Sequence, residues 1–392
     1  MDSLRNPFAP GAGTRPYAIA GRDAVLEEVA TSIGRLALGR SAKSHVLLGL
    51  RGVGKTVLLE EIRRRAEDAG HIAVMIEAPE RKSLPAALIP ELRLALVRFS
   101  LLGPARDLAK RGLQALAGFA SAMKLKYKDV EVSFDVEPEV GLADAGDLEH
   151  DLAVLMETVG TAAEAAGVTF VLLVDELQYV QTSQLGPLVS ALHRCSQRRK
   201  PVILVGAGLP QLRGRIGNAK TYSERLFEFT ELSTLKRSDS ADAIRIPLEA
   251  ECVMISDDAL ELILSDTQGY PYFLQEWGKH AWNCAKRSPI ELVDVERAQQ
   301  LARYSLDTSF FGVRLDRVSG KEREYLMAMA KLGNGPFETA DVSESLGESG
   351  QELAVTRARL IEKGMIYSPS YGLIDFTVPF FGLFLLRQVA KF

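Results

Sequence analysis

The segment Gly49-Leu50-Arg51-Gly52-Val53-Gly54-Lys55-Thr56 has the spacing GxxxxGK[ST]. Each residue type has a use if a polyphosphate sits there. Glycines let backbone N–H groups turn inward without a Cβ clash, forming a nest for phosphate oxygens. A helix starting near Lys55 aims its positive end at the same anion. The Lys55 ammonium reaches the outer phosphates, and the Thr56 hydroxyl is a ligand for Mg²⁺. Gly49, Arg51, Gly52, Val53, Gly54, Lys55, Thr56 and Val57 are the candidate nucleotide-binding residues. The competing account is a glycine-rich turn whose lysine is merely solvated.

A second constellation is Val171-Leu172-Leu173-Val174-Asp175-Glu176, an apolar strand ending in two carboxylates. At the carboxyl edge of a parallel sheet, on the strand next to the phosphate strand, Asp175 supports the metal shell. Glu176, one residue on, is placed to polarise a water for attack on the terminal phosphorus. An acidic first turn of a helix also puts Asp and Glu after a strand. The pairing with the phosphate loop favours the catalytic account.

These residues need a sheet edge to hold them. His45–Leu50, Ile72–Glu77, Val168–Val174 and Pro201–Val205 are short, β-branched apolar runs of central-strand length. Helical periodicity separates them, over 21–36, the stretch after Lys55, 80–125 with a break at Gly103-Pro104, and 147–166. Alternating β and α elements predict an α/β fold with a parallel sheet. Lys126–Val136 alternates polar and apolar and predicts a strand on a surface insertion spanning about 80–146. After Leu232 the strand signals stop and 240–303 is helical in pattern. From Ser319 the order is helix (321–332), short helix (339–346), helix (351–363), then strands 365–368 and 373–377 around Tyr371-Gly372. That is a winged-helix order. The predicted division is a P-loop NTPase core (1–232), a helical lid (233–317) and a winged-helix domain (318–392).

Bulk composition sets outer limits. The chain has 392 residues, 47% apolar and 25% charged, with a formal net charge of −4. This is ordinary globular composition and not the charge of a protein coated in nucleic acid. Cys195, Cys252 and Cys284 form no CxxC pair and read as reduced thiols. The N-terminus lacks the basic head and apolar core of a signal peptide. The longest apolar run, near Phe376–Leu386, is too short to span a bilayer. A soluble, cytoplasmic protein without membrane contact is the expectation.

The chain resembles P-loop ATPases of the AAA+ class, and within it the branch shared by origin-recognition initiator ATPases and STAND signalling ATPases. The segments carrying the resemblance are AGRDAVLEEV (20–29), GLRGVGKT, VLLVDELQYV, PVILVGAGLPQL (201–212), TYSERLFEFTEL (221–232), TQGYPYFLQEWG (267–278) and the terminal winged helix. The resemblance implies ATP/ADP and Mg²⁺ as cofactors and ATP hydrolysis as the activity. It implies that the arm and the segment around Arg22 pack over the adenine, and that Arg225 is an arginine finger acting on a neighbouring subunit. It implies that Pro271, in a GxP corner, opens the lid helix at the nucleotide.

Two departures bear on rate. The strand before Gly206-Ala207-Gly208 ends in small apolar residues where a polar sensor is expected. The lid helix offers no Arg or Lys until Lys279. Each missing donor removes charge stabilisation worth roughly 2 to 4 kcal/mol in a transition state, so slow intrinsic turnover is expected. DNA binding through the winged helix stays open. Its presumed recognition helix offers Gln351, Thr356, Arg357, Arg359 and Lys363, yet residues 318–392 carry eight Lys and Arg against nine Asp and Glu. A basic cluster at Arg194, Arg198, Arg199 and Lys200 has a nucleic-acid reading and a helix-terminus reading. Tyr270, Tyr272, Phe273 and Trp277 are expected in the lid core. The leading reading is an Mg²⁺-dependent ATPase that uses ATP to change the angle between core, lid and winged helix. The alternative is a signalling or defence adaptor whose ATP or ADP is a structural switch. A homo-oligomer or protein partner is open under either.

Overall fold

The computed structural model describes residues 1–78, 83–123 and 136–389. Its core is a five-stranded sheet: β1 (Ser44–Leu48), β2 (Ile72–Glu77), β3 (Phe170–Asp175), β4 (Val202–Gly208) and β5 (Phe227–Glu231). The order is β2-β3-β4-β1-β5 and every pairing is parallel. β1, β3 and β4 are buried along their whole length, which is why they read as unbroken apolar runs. β5 was not foreseen from sequence; FEFTE is polar at alternate positions because the strand lies at an open edge.

Side chains alternate across the sheet, so successive strand residues feed two separate cores. On one face Leu47, Leu173 and Val205 meet Leu26, Ile33, Leu58 and Ile62 of α1 (Asp23–Ala37) and α2 (Lys55–Asp68). On the other, Val46, Leu48, Leu172 and Val174 meet Leu88, Phe99, Leu155 and Leu188. These come from α3 (Leu84–Ser100), α5 (Leu148–Ala165) and α6 (Thr182–Gln197); α4 (Arg106–Ala122) packs on α3 and α5. α3 and α4 realise the helices expected in the insertion. The strand expected over Lys126–Val136 falls almost wholly outside the described residues.

Short helices α7 (Leu212–Ala219) and α8 (Ser223–Leu226) lead into β5. Four helices follow: α9 (Arg237–Ala250), α10 (Asp257–Thr267), α11 (Pro271–Cys284) and α12 (Leu292–Ser305). α12 runs through a π-helical stretch, Leu306–Gly312, into the single turn α13 (Val313–Leu315).

The C-terminal unit contains α14 (Gly320–Lys331), β6 (Phe337–Glu338), α15 (Thr339–Leu346), α16 (Gly350–Glu362), β7 (Ile366–Tyr367), β8 (Leu373–Phe376) and α17 (Phe381–Val389). Ser319 and Ser349 open α14 and α16 with capping boxes closed by Glu322 and Glu352. The strands form an antiparallel sheet in the order β6-β8-β7. The three helices and the hairpin match the sequence expectation; β6 and α17 are additions. α17 takes up the apolar run near Phe376–Leu386 and packs Phe381, Phe384 and Leu385 inward. Among the described residues, no helix is long and apolar enough to cross a membrane.

Candidate functional site

All three central strands end at the same sheet edge, so the loops after β1, β3 and β4 converge there. The loop after β1 is built around its glycines. A Cβ on Gly49 would stand 2.6 Å from the Leu232 carbonyl oxygen. Gly54, with φ at 92°, is in the left-handed region that favours glycine, and the chain enters α2 directly from it. Gly49 does not itself line the cavity; it lets the loop pass under Leu232.

Lys55 is buried, and its ammonium donates to the carbonyls of Gly49 at 3.0 Å and Leu50 at 2.9 Å. Burial holds its pKa below the usual lysine value; the Glu176 and Asp175 carboxylates oppose that shift. The Thr56 hydroxyl donates to Asp175 Oδ2 at 2.5 Å. β3 is not adjacent to β1, contrary to the expectation; β4 lies between them, and Asp175 reaches Thr56 past the end of β4. Burial raises the Asp175 pKa, opposed by the hydrogen bonds from Thr56 and the Glu176 amide. A hydroxyl and a carboxylate so close together are hard oxygen donors of the kind Mg²⁺ takes while keeping several waters. They fit that ion: Thr56 and Asp175 would hold it, and it would supply neutralisation of phosphate charge. Among the described residues no cluster of three or more His, Cys, Asp or Glu forms another metal site.

Glu176 has φ 49° and ψ 35°, a left-handed conformation that is uncommon outside glycine. Such strain concentrates at functional positions. It turns the carboxylate out of line with β3. There Gln178 Nε2 donates to Glu176 Oε2, while Gln178 Oε1 accepts from the Leu209 amide at 3.1 Å. Gln178 therefore fills the place beside the small residues ending β4. A Cβ on Gly208 would sit 2.6 Å from Gln178 Oε1. The missing polar group on β4 is thus explained sterically. The Arg51 guanidinium lies 3.9 Å from Glu176 and donates to the Tyr179 hydroxyl at 2.5 Å.

The cavity at this edge has a volume of about 600 Å³. Arg22, Arg51, Gly52, Val53, Gly54, Lys55, Thr56, Val57, Asp175, Glu176 and Pro271 all border it. Arg22 donates to the carbonyls of Ser233 at 2.6 Å and Val53 at 3.4 Å, tying α1 to the loop and to the chain after β5. The N-terminal arm lines another wall from Ala9 to Ala20. It is anchored at Phe8, which packs on Gly278, and at Arg15, which pairs with Glu61 at 3.2 Å. Pro271 starts α11, followed by Tyr272, whose ring stacks on Phe310 at 4.6 Å. Tyr270, Phe273 and Trp277 are buried in the helical core as expected, whereas Tyr272 faces the cavity.

Arg225 is elsewhere. It is exposed on α8, outside the cavity, and pairs with no carboxylate among the described residues. Three cavity cations escaped the sequence reading of this site: Arg314, Arg317 and Lys363. Lys363, read there as a DNA contact, instead donates to Glu322 at 2.6 Å and to the Arg317 carbonyl at 2.8 Å. In the basic cluster at the end of α6 three of the four cations are paired, and Arg199 is exposed. Arg194 and Arg198 both bond Glu157, and Lys200 pairs with Glu164 at 2.6 Å, so these cations clamp α6 to α5.

Residues 18–205 match the family model described as AAA ATPase domain. Residues 308–385 match a second, described as a domain of unknown function (DUF8462). No curated protein matches the sequence. Among solved structures, the Walker-type ATPase PABY2304 of Pyrococcus abyssi superposes with a TM-score of 0.57 at 17% identity, covering 95% of this chain and 97% of that one. The RuvB Holliday junction branch migration motor of Thermotoga maritima gives 0.46 at 17% identity, covering 93% and 95%. The Aeropyrum pernix Orc1 protein in complex with DNA gives 0.47 at 14% identity, covering 96% and 94%. The fold is that of an AAA+ P-loop NTPase. The family match over the core, with the loop and acidic pair in place, supports an ATP-binding ATPase.

Proposed function

We propose that the protein binds ATP with Mg²⁺ between the core and the four-helix lid, hydrolyses it slowly, and uses nucleotide state to set the position of a C-terminal winged-helix domain. The observation that carries this reading is the Thr56–Asp175 contact at 2.5 Å beside a buried Lys55. A solvated turn lysine has no reason to be buried. Desolvating an ammonium is costly unless something in the site rewards it, and a polyphosphate does.

In this scheme the loop amides and Lys55 hold the phosphates. Thr56 and Asp175 would hold the metal. Glu176 accepts the proton of the attacking water, and Gln178 orients its carboxylate. Slow turnover follows because the Lys55 ammonium is engaged with the Gly49 and Leu50 carbonyls, which must be exchanged for phosphate before attack. Arg225 is available only to a second copy of the chain, so an oligomer would supply it in trans. The three-part division at 232 and 317 belongs to this reading.

A second reading, a nucleotide-dependent adaptor in which ATP or ADP is mainly a structural switch, is favoured by one specific contact. The Arg51 amide donates to the Thr377 carbonyl at 3.0 Å, so the C-terminal unit rests directly on the phosphate loop. Neither reading rests on DNA: Lys363 is paired with Glu322 and the C-terminal unit has no cation surplus.

The deciding experiment measures phosphate release by the wild type and by Glu176→Gln, with and without duplex DNA, alongside nucleotide binding by Lys55→Ala. Release lost in the glutamine variant with binding kept supports the enzyme. Equal, negligible release with retained nucleotide supports the adaptor. Unchanged binding by Lys55→Ala would overturn both.

A further inference from the structure

The sequence leaves the lid side of the phosphate site without a cation. α11 opens with Pro271 and Tyr272, and its cavity-facing residues are Pro271, Tyr272 and Gln275. A cation is nevertheless present, brought from the join between the lid and the C-terminal unit. Arg314, on α13, borders the cavity with its guanidinium 4.9 Å from the centre of the Phe310 ring.

Two features of Arg314, with the pKa shift they cause, point to an anion. It is half-buried and has no carboxylate partner among the described residues. Its close charged neighbours, Arg51 and Arg317, carry its own sign. Burial and those neighbours push its pKa down to about 10. Gathering like charges away from water is unfavourable unless a counter-charge comes between them. Arg51 has Glu176 at 3.9 Å and the Tyr179 hydroxyl as partners, yet its Nε is buried without an acceptor. The surface pairs on α2 make the contrast, since each of Arg63, Arg64 and Arg65 has its glutamate.

The position of the pair along the cavity identifies which part of a ligand it meets. Arg51 reaches to within 3.9 Å of Glu176, the carboxylate beside the metal-holding Asp175. The arm lines a different wall. The cations are thus grouped at the acidic, hydrolytic end, where the last phosphate of a triphosphate comes to lie once the loop amides hold the preceding one.

We infer that Arg314, together with Arg51, binds the terminal phosphate of the nucleotide within the same chain, supplying from the lid–winged-helix join the cation that the lid helix lacks. This deepens the nucleotide reading and rests on it. Arg314 is the residue through which the C-terminal unit distinguishes a triphosphate from a diphosphate. With the phosphate present, two cations share an anion and the unit is held against the loop. With it gone, the same cations face each other and the closure weakens.

The test is titration calorimetry with Mg²⁺, using ADP and a non-hydrolysable ATP analogue, on wild type, Arg314→Ala, Arg314→Lys and Lys55→Ala. The expected result is a loss of about tenfold or more in analogue affinity for Arg314→Ala, with ADP affinity changed less than about threefold. Arg314→Lys keeps the charge without the bidentate fork and falls between. Limited proteolysis gives a second readout: the analogue protects the 306–319 segment in wild type and not in Arg314→Ala. Equal loss for ADP and analogue, or no loss for either, overturns the inference while leaving the nucleotide reading intact. Failure of wild type to bind either ligand sinks both. Should Arg314→Ala not fold, the lysine variant and Arg314→Gln decide the matter by the same comparison.

Discussion

The Thr56 hydroxyl, on α2, and the Asp175 carboxylate meet at 2.5 Å although β4 separates β3 from β1, the strand that leads into α2. The contact closes the ring of loop, α2 and β3 around the cavity, and it is the geometry a bound magnesium would exploit. Thr56→Ala and Asp175→Asn should therefore lower nucleotide affinity by about tenfold or more in the presence of Mg²⁺. In EDTA each variant should bind ADP within a few-fold of wild type. Calorimetry with and without the metal checks this; equal losses in both conditions would make the pair a fold determinant only.

Glu176→Gln should reduce single-turnover phosphate release by about 10² to 10⁴-fold. Nucleotide affinity should stay within a few-fold of wild type, since the amide keeps its place beside Gln178. Gln178→Ala should produce a smaller loss through misorientation of Glu176, visible in release rate and absent from ADP affinity.

Gly49→Ala tests the steric account of the loop. The added methyl meets the Leu232 carbonyl oxygen at 2.6 Å and Val53 Cγ2 at 2.8 Å. One contact is backbone and cannot rotate away. A destabilisation of about 1 to 3 kcal/mol is expected, read as a fall in denaturant midpoint. Gly54→Ala has open space around it but must hold φ at 92°, so its cost is conformational and should be about 1 to 2 kcal/mol.

The α2 carboxylate Glu61 gives a pH-dependent prediction. Its hydrogen bond to Arg64, helped by Arg65 and Arg15 and opposed by burial, brings its pKa from 4.5 down to about 2. A depressed carboxylate contributes stability that is present above the unfolded pKa and is lost as pH falls through the folded one. Glu61→Gln should lower the melting temperature at pH 7, and the difference should shrink steadily between about pH 4.5 and 2. A difference independent of pH would assign the effect to packing.

Arg225→Ala should leave nucleotide affinity and melting temperature of the monomer unchanged, because the side chain is exposed and outside the cavity. It should lower the phosphate-release rate only at concentrations where sizing detects an oligomer with the ATP analogue. A loss seen equally in dilute monomer would remove Arg225 from the list of residues acting between copies.

The loop and the acidic pair were legible because each is a contiguous motif: strand, turn and reactive groups lie within a few residues. The sheet was legible for its buried strands, whose apolar runs leave little choice of environment. β5 was not, because an edge strand keeps polar residues on its open side and FEFTE resembles a loop. Arg314 was hidden for a different reason. In RLDRVSG it sits among charged and small residues that read as a solvated linker, and only the fold of the last third of the chain returns it to the loop. Gln178 was readable as part of DELQY but had no local signal for its partnership with Gly208, which depends on strand order. Lys363 lies at the end of the helix where the sequence reading offered DNA contacts, and its pairing with a buried glutamate on another helix had no local signal.

The ring cluster joining the lid to the C-terminal unit limits how the molecule can change shape. Phe310 and Phe311 from the π-helical stretch pack on Phe273 of α11, which also meets Phe380, and Phe311 packs on Phe381 and Phe384 of α17. Wetting one such ring costs roughly 1.5 to 3 kcal/mol, about what a single phosphate contact supplies. Complete detachment would wet several at once and is out of reach of one phosphate's departure. Under the proposed switch the motion is a pivot: the phenylalanines stay dry as a ball joint while the Arg51–Thr377 edge, held by one backbone hydrogen bond, lifts away.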